Sequence, residues 1–122
     1  MPYPRHLLGE QGEQVVASWL IGSGWQVLAR RWRGESGGEL DLVCAEPGGA
    51  LVAVEVKLRR TARAGTGLEA VDRHRIARLR RGLAGYAASS GSSWRALRVD
   101  LVTLEPEGQR WRLRRHPGVD AW

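Results

Sequence analysis

The 122-residue sequence predicts a mixed α/β fold with the element order α-β-β-β-α-β-β. Two segments have apolar residues at helical spacing, and five shorter runs have the composition of strands. The loops between the first three strands are short enough to require antiparallel pairing. The helix between the third and fourth strands permits a parallel crossover. We therefore expect a mixed sheet with helices packed on it, in one domain that spans residues 1–122.

The first half of the chain is predicted as one helix followed by three strands. Apolar residues at helical spacing cover residues 6–21, and the glycines at 22 and 24 end this pattern. Trp19 and Trp25 fall within apolar patterns, which predicts that both belong to the core. Turn-rich segments then separate three strand-like runs, which are Trp25–Arg33, Glu39–Ala45 and Leu51–Arg59.

A second helix is predicted from about Asp72 to Ala88, and two strands follow it. Asp72 is a residue type that caps helix N-termini well. Beyond the helix, Leu97–Leu104 and Gln109–Arg114 have strand composition on either side of a turn at residues 105–108. The segment 60–68 lacks periodicity and is predicted as a basic loop.

Charge favours a polyanionic partner. The net charge is +6 and the isoelectric point is about 10.9, which suits nucleic acid, although a solvated basic surface without a ligand is the alternative. Neither a secretory signal nor an apolar run of membrane-spanning length is present. The single cysteine, Cys44, lies in an apolar run where a buried thiol is expected. We expect a cytoplasmic protein that does not bind membranes.

Four charged side chains alternate with apolar ones in the second and third strands. A hairpin centred on Gly48 pairs residues whose numbers sum to 96. Asp41 then lies opposite Glu55, and Glu39 lies opposite Lys57. Because like charges placed opposite each other destabilise a sheet, two facing carboxylates need a compensating partner.

A divalent cation is one such partner, since Mg²⁺ takes carboxylate oxygens and keeps waters and phosphate oxygens as further ligands. Lys57 is the only lysine, beside 18 arginines, and a compact ammonium suits a phosphate oxygen or an attacking water. A metal at Asp41 and Glu55, with Lys57 beside it, predicts phosphodiester hydrolysis. The alternative is a solvated sheet face with Glu39 and Lys57 as an ordinary cross-strand pair.

The ordered motifs resemble a known family. Gly12-Glu13 in the first helix, Arg30-Arg-Trp-Arg33, Gly38-Glu-Leu-Asp-Leu42 and Val54-Glu-Val-Lys57 are similar to the uncharacterised bacterial YraN-type family. That family looks like a branch of the PD-(D/E)XK nuclease superfamily, with a fold similar to archaeal Holliday-junction resolvases. The resemblance implies a restriction endonuclease-like domain.

The resemblance also implies roles for individual residues. Asp41 and Glu55 would be ligands of Mg²⁺ or Mn²⁺, Lys57 the third catalytic residue, and Glu13 would lean over the same site. From the residues alone, Glu13 reads as a solvated helix residue. The chain departs from the family where Arg75 replaces a lysine common at the start of the second helix, which keeps a cation for phosphate but changes its geometry.

Several basic and aromatic residues are candidates for nucleic-acid contact, with a solvated basic surface as the alternative. Two groups flank the site, in the basic loop and at the start of the second helix, and Trp32 lies between two further arginines. The candidates are Arg31, Trp32, Arg33, Arg59, Arg60, Arg63, Arg73 and Arg75.

Three functions are compatible with these features. The first is a Mg²⁺- or Mn²⁺-dependent endonuclease acting on DNA, including branched or single-stranded DNA. The second is a non-catalytic nucleic-acid-binding accessory module on a nuclease-like fold, in DNA uptake or recombination. The third is a basic protein–protein adaptor whose carboxylate face is structural. With one active site per protomer, cleavage of both DNA strands would need a homodimer, which is an expectation from the analogy with nuclease folds.

Overall fold

The computed structural model describes residues 8–35, 38–59 and 72–121. It confirms the predicted fold class and element order, and a short 3-10 helix follows the last strand. The elements are α1 (Leu8–Gly22), β1 (Gln26–Arg33), β2 (Glu39–Ala45), β3 (Ala50–Leu58), α2 (Arg73–Ser90), β4 (Ala96–Glu107), β5 (Arg110–His116) and the 3-10 helix (Val119–Ala121).

The five strands form one mixed sheet in sequence order, β1-β2-β3-β4-β5. β2 is antiparallel to both β1 and β3, and β5 is antiparallel to β4. β3 and β4 are parallel, because α2 carries the chain back to the same end of the sheet. This is the arrangement that the loop lengths predict.

The two helices pack against side chains that alternate along the strands. Val52 and Val54 contact the cluster around α1, whereas Leu51 and Ala53 belong to the cluster around α2. Because neighbouring residues of a strand point to opposite faces, the helices cover opposite faces of the sheet. Neither helix among the described residues has the length and apolar character needed to cross a bilayer.

A close approach of α1 to the sheet depends on Gly12. A Cβ atom at this position would lie 3.2 Å from Leu58 Cδ2 and 3.3 Å from Leu104 Cδ1. The bare backbone therefore lets the helix settle on the ends of β3 and β4. Glu13, the next residue, is held beside the end of β3 as a result.

Both ends of α2 are capped. The carboxylate of Asp72 accepts a hydrogen bond from the backbone N–H of His74 at 2.8 Å, which confirms the predicted N-cap. Gly91 ends the helix with a φ of 71°, in the left-handed region that favours glycine.

Two details of the sequence prediction are wrong. Trp25 is buried with 8% of its surface exposed, as expected, but Trp19 is 41% exposed. The buried stripe of α1 consists of Val16, Ala17 and Leu20, which leaves Trp19 at its margin.

The end of β4 also differs from the prediction. Residues 105–107, predicted as part of a turn, continue the strand because they pair with β5.

A fully buried carboxylate, Asp100, ties β4 to the C-terminal segment. It accepts hydrogen bonds from Arg98 Nε at 2.7 Å, Arg98 Nη2 at 3.0 Å, Arg115 Nη1 at 2.9 Å and the N–H of Gly118 at 2.9 Å. The guanidinium of Arg115 also lies 5.2 Å from the ring centre of Trp25, within reach of a cation–π interaction. Every lone pair of this buried charge is therefore used.

We predict that Asp100→Ala lowers the free energy of unfolding by about 3 kcal/mol, because it removes the acceptor of Arg115 and of the Gly118 N–H and leaves Arg98 with Glu46 alone. Urea unfolding followed by circular dichroism measures the change. Glu107→Ala is the matched control, because Glu107 pairs with Arg112 in the exposed salt bridge and its loss should cost less than about 1 kcal/mol. Equal effects of the two variants would contradict the structural importance of Asp100.

Candidate functional site

The candidate site lies where β2 and β3 part. The two strands are paired from Leu42–Val54 to Ala45–Leu51, and these residue numbers sum to 96, as the hairpin prediction requires. Beyond this point the Asp41 side chain takes the place of a backbone partner. Its Oδ2 accepts a hydrogen bond from the N–H of Val56 at 2.9 Å. One carboxylate is thus fixed in the gap between two strands.

A pocket of about 390 Å³ opens at this gap. It brings together all four residues that the sequence and the family resemblance single out for catalysis, together with the start of α2. The ionisable residues of its lining are Glu13, Asp41, Glu55, Lys57, Asp72 and Arg75. Apolar side chains of α2 and β4 close its floor, among them Leu79 and Leu101.

The carboxyl group of Asp41 is electrostatically strained. Its pKa is raised from 3.8 to about 7. Burial is the largest cause of this rise, and the charge of the neighbouring Glu55 carboxylate is the second. The hydrogen bond from Val56 and the charge of Arg75 act in the opposite direction. The Glu55 carboxylate is therefore close enough to oppose the ionisation of Asp41, as the predicted register implies.

Glu55 is buried and only partly satisfied. Its Oε1 accepts a hydrogen bond from Arg75 Nη2 at 2.6 Å. Its Oε2 is buried and has no hydrogen-bond partner among the described residues. A buried anionic oxygen without a donor is costly, and the second carboxylate nearby adds to that cost. No local pattern in the sequence links Arg75 to Glu55, because 20 residues separate them.

This donor set fits a small hard cation. Asp41 and Glu55 line the same pocket, and within the described part of the chain one buried Glu55 oxygen has no hydrogen-bond partner. Within the described ranges, no group of three or more His, Cys, Asp or Glu side chains is arranged to hold a metal. An ion would therefore take two protein carboxylates and complete its shell with water or substrate oxygens, as Mg²⁺ commonly does.

Glu13 lines the pocket, but its carboxylate is already engaged. Its Oε1 accepts from Arg31 Nε at 3.0 Å, and Arg31 Nη1 lies 3.2 Å from Glu10 Oε1. Arg31 has a φ of 48°, the left-handed region. The predicted position of Glu13 beside the site agrees with the structure, and Arg31 binds two carboxylates of α1.

Lys57 lies two residues beyond Glu55 and lines the same pocket with an exposed side chain. It forms no ion pair with a residue in the described ranges. The alternative reading, an ordinary cross-strand pair of Glu39 with Lys57, is not formed: the backbone pairing of β2 and β3 ends before this position, and Glu39 Oε2 binds Arg33 Nε at 3.1 Å. The ammonium group thus stays available to a ligand of the pocket.

The other predicted contacts are dispersed. Trp32 is half-buried and packs edge-on against Tyr86, with ring centres 5.3 Å apart. Arg59, predicted in a loop, is buried and its backbone N–H bonds to Leu104 O at 2.8 Å. Arg73 is exposed at the start of α2. Arg60 and Arg63 lie outside the described residues. Of the six candidates among the described residues, only Arg75 lines the pocket.

Comparison with other proteins gives one family. The model of "Uncharacterised protein family UPF0102" matches residues 12–104. A UPF0102 protein of Symbiobacterium thermophilum is 47% identical over 88% of this chain and 88% of its own length. One from Kineococcus radiotolerans is 46% identical over 80% of this chain and 79% of its own. These matches confirm the family resemblance predicted from the sequence.

Among solved structures, SfsA of Pyrococcus furiosus, determined in complex with Ca²⁺, aligns with 93% of this chain and 63% of that protein. The identity is 13% and the TM-score is 0.35. An overlap at this level does not support an argument about fold or function.

The raised pKa of Asp41 predicts a pH dependence of stability in the absence of metal. The folded protein binds this proton more tightly than the unfolded chain does, so stability is lost as the pH rises from about 4 to about 7. We expect Asp41→Asn, which can still accept from Val56, to flatten this slope and to raise the free energy of unfolding at pH 8 by about 2 kcal/mol. Urea unfolding from pH 4 to 8 measures it.

Glu10→Gln is the control, because Glu10 is an exposed carboxylate of α1 outside the pocket lining. It should leave the slope between pH 4 and 7 unchanged. An Asp41→Asn protein with the wild-type slope would show that the pKa of Asp41 is not raised in the folded protein.

Proposed function

We propose that this chain, which belongs to the uncharacterised protein family UPF0102, binds nucleic acid and hydrolyses phosphodiester bonds with a divalent cation, Mg²⁺ or Mn²⁺, held by Asp41 and Glu55. The observation that carries the proposal is the pair of carboxylates where β2 and β3 part: Asp41 is partly buried, and Glu55 is buried with one oxygen that has no hydrogen-bond partner among the described residues. The expected nuclease-like ancestry of the family agrees with it.

The cost of the carboxylate pair favours a ligand. A pair that served only the fold would be expected to be saturated with donors, as Asp100 is. Asp41 instead keeps a raised pKa, and Glu55 keeps an unpartnered oxygen. A divalent cation would offset both charges and use that oxygen, which is why metal sites tolerate such pairs.

The protein's own groups then have distinct tasks. The backbone N–H of Val56 fixes the Asp41 carboxylate, so one ligand is oriented before any substrate arrives. A bound divalent cation lowers the pKa of water and offsets charge on a phosphate. Lys57 lies beside Asp41 and Glu55, which together form the carboxylate dyad, and it has no ion pair with a described residue. Its ammonium would hold a phosphate oxygen, or its Nζ would take a proton from the attacking water.

Nucleic acid, with DNA as the expected form, is the substrate class that the charge supports. The net charge is +6, and Arg73 and Arg75 stand at the start of α2 beside the pocket. Phosphates bind well where arginines and a helix N-terminus meet. A cytoplasmic location and a homodimer that cuts both strands belong to the same proposal.

A non-catalytic nucleic-acid-binding module is the second candidate. The observation that favours it is the salt bridge of Arg75 to Glu55, because a site whose carboxylate already has a cationic partner can exist without metal. In that case the basic surface would bind phosphates and the dyad would only anchor α2 to the sheet.

Cleavage separates the two candidates. We predict that the wild-type protein nicks DNA in Mn²⁺, within a panel of duplex, flap, single-stranded and four-way-junction substrates. Lys57→Ala should reduce the rate by at least about 100-fold, a typical loss for a proton-transfer group, while DNA affinity falls less than about threefold. Gel-based cleavage and fluorescence anisotropy measure the two quantities.

Lys57→Arg is the matched variant, because it keeps the charge but not the compact ammonium. It should remain impaired if Lys57 takes or orients a proton and should recover if only charge matters. Undiminished nicking by Lys57→Ala would refute a catalytic role for this residue. A wild-type protein inactive on every substrate would favour the binding module.

Binding to phosphates predicts strong dependence on salt. If four to six phosphates are neutralised, the DNA affinity should fall by roughly 100-fold or more between 50 and 200 mM salt. Anisotropy titrations of labelled duplex DNA over this range give the slope. An affinity independent of salt would refute nucleic-acid binding by the basic surface and would favour a protein partner.

A further inference from the structure

The side chain of Arg75 reaches from the protein surface to the buried carboxylate of Glu55. Its side chain is 53% exposed, whereas that of Glu55, which it binds at 2.6 Å, is 10% exposed. The start of α2 is fixed behind it, since the N–H of Ile76 donates to Asp72 O at 2.9 Å and the Asp72 side chain caps the helix. The guanidinium therefore enters the pocket from the solvent side on a firm base, and it can leave without unfolding the helix.

The charges of the pocket disfavour a second cation beside Arg75. Asp41, Glu55 and Asp72 contribute up to three negative charges, and Lys57 and Arg75 contribute two positive charges. The carboxylate of Glu13 is bound by Arg31, so it adds little to this sum. A divalent ion with Arg75 still in place would set four positive charges against three negative ones in one pocket, where like charges repel.

We propose that Arg75 is an exchangeable counter-ion that decides when the site accepts nucleic acid. Without a divalent ion, the guanidinium occupies Glu55. When a divalent ion binds the dyad, Arg75 is released, and its guanidinium binds a phosphate of the nucleic acid at the mouth of the pocket. This inference rests on the proposed function and assigns to Arg75 the coupling between the two ligands.

Chemistry supports the exchange. Carboxylate and phosphate are both oxyanions that guanidinium binds through the same pair of N–H groups, so Arg75 needs no second binding mode. Because Arg75 is free for phosphate only when the ion is present, each ligand strengthens the binding of the other. Binding of DNA to the ion-free protein is disfavoured, since Arg75 would have to leave Glu55 without a partner.

A different role for Arg75 makes the opposite prediction. If Arg75 stayed on Oε1 and oriented Glu55 while a metal used Oε2, it would act as a permanent supporting partner of the ligand. Its removal would then weaken metal binding. The sign of the change in metal affinity therefore separates exchange from support.

The first measurement is Mn²⁺ affinity by isothermal titration calorimetry of the full chain without nucleic acid. We expect Arg75→Gln to bind Mn²⁺ about tenfold more tightly than the wild type, because a competing positive charge is gone. Arg75→Lys, which keeps that charge, should remain within about threefold of the wild type. Arg78→Gln, the same charge change on the next turn of α2 at an exposed residue outside the pocket lining, should resemble the wild type.

The second measurement is the affinity for labelled duplex DNA in EDTA and in Ca²⁺, a hard cation that takes the same oxygen ligands. The DNA is checked for intactness afterwards. The wild type and Arg78→Gln should gain about tenfold in affinity when Ca²⁺ is added. Arg75→Gln should gain less than about threefold, because no guanidinium is released.

The outcomes are distinct. Weaker or unchanged Mn²⁺ binding by Arg75→Gln, with a wild type that binds Mn²⁺, overturns the exchange and leaves the proposed metal site intact. An undiminished Ca²⁺-dependent gain in Arg75→Gln also overturns it. A wild type that binds neither Mn²⁺ nor Ca²⁺ refutes the proposed function, and the exchange with it.

Discussion

The hydrogen bond from Val56 to Asp41 is the interaction on which the candidate site depends. The backbone pairing of β2 and β3 reaches Leu42–Val54, and the Asp41 side chain then supplies the acceptor for the next free donor of β3. A carboxylate in this position accepts the hydrogen bond of the Val56 N–H at the point where the two strands separate. The separation leaves room for the pocket and keeps Glu55 and Lys57 at its wall, on a strand still held by β4 from the other side.

Much of this arrangement follows from the sequence because it is set by local rules. The short turn at Gly48 and Gly49, with a φ of 100° at Gly49, fixes the hairpin register, and the register places Asp41 near Glu55. The alternation of side chains brings Lys57 to the same face. The crossover through α2 requires β4 to run parallel to β3. Each of these features is set by residues that are close in sequence or by the two-residue alternation of side chains along a strand.

The contacts that sequence reasoning missed depend on long side chains reaching between elements. Eighteen arginines look equivalent in a sequence, yet Arg31 reaches Glu13, Arg115 reaches Asp100 and Arg75 reaches Glu55. The left-handed backbone at Arg31 has no signature in a strand-like run, because arginine does not favour it. Trp19 similarly reads as apolar and helical, and only the packed sheet shows which stripe of α1 is covered.

Two carboxylates of the same protein show how burial separates structure from chemistry. Asp100 has no exposed surface and four hydrogen-bond donors, so its charge is fully compensated in place. Glu55 is nearly as buried, but it has one donor on one oxygen, and that donor belongs to a half-exposed arginine. A compensated charge has nothing to gain from a ligand, whereas an under-compensated one gains from any cation that can replace or join its partner. The asymmetry between these two groups is therefore the physical reason to look for ion chemistry at β2 and β3 rather than elsewhere in the sheet.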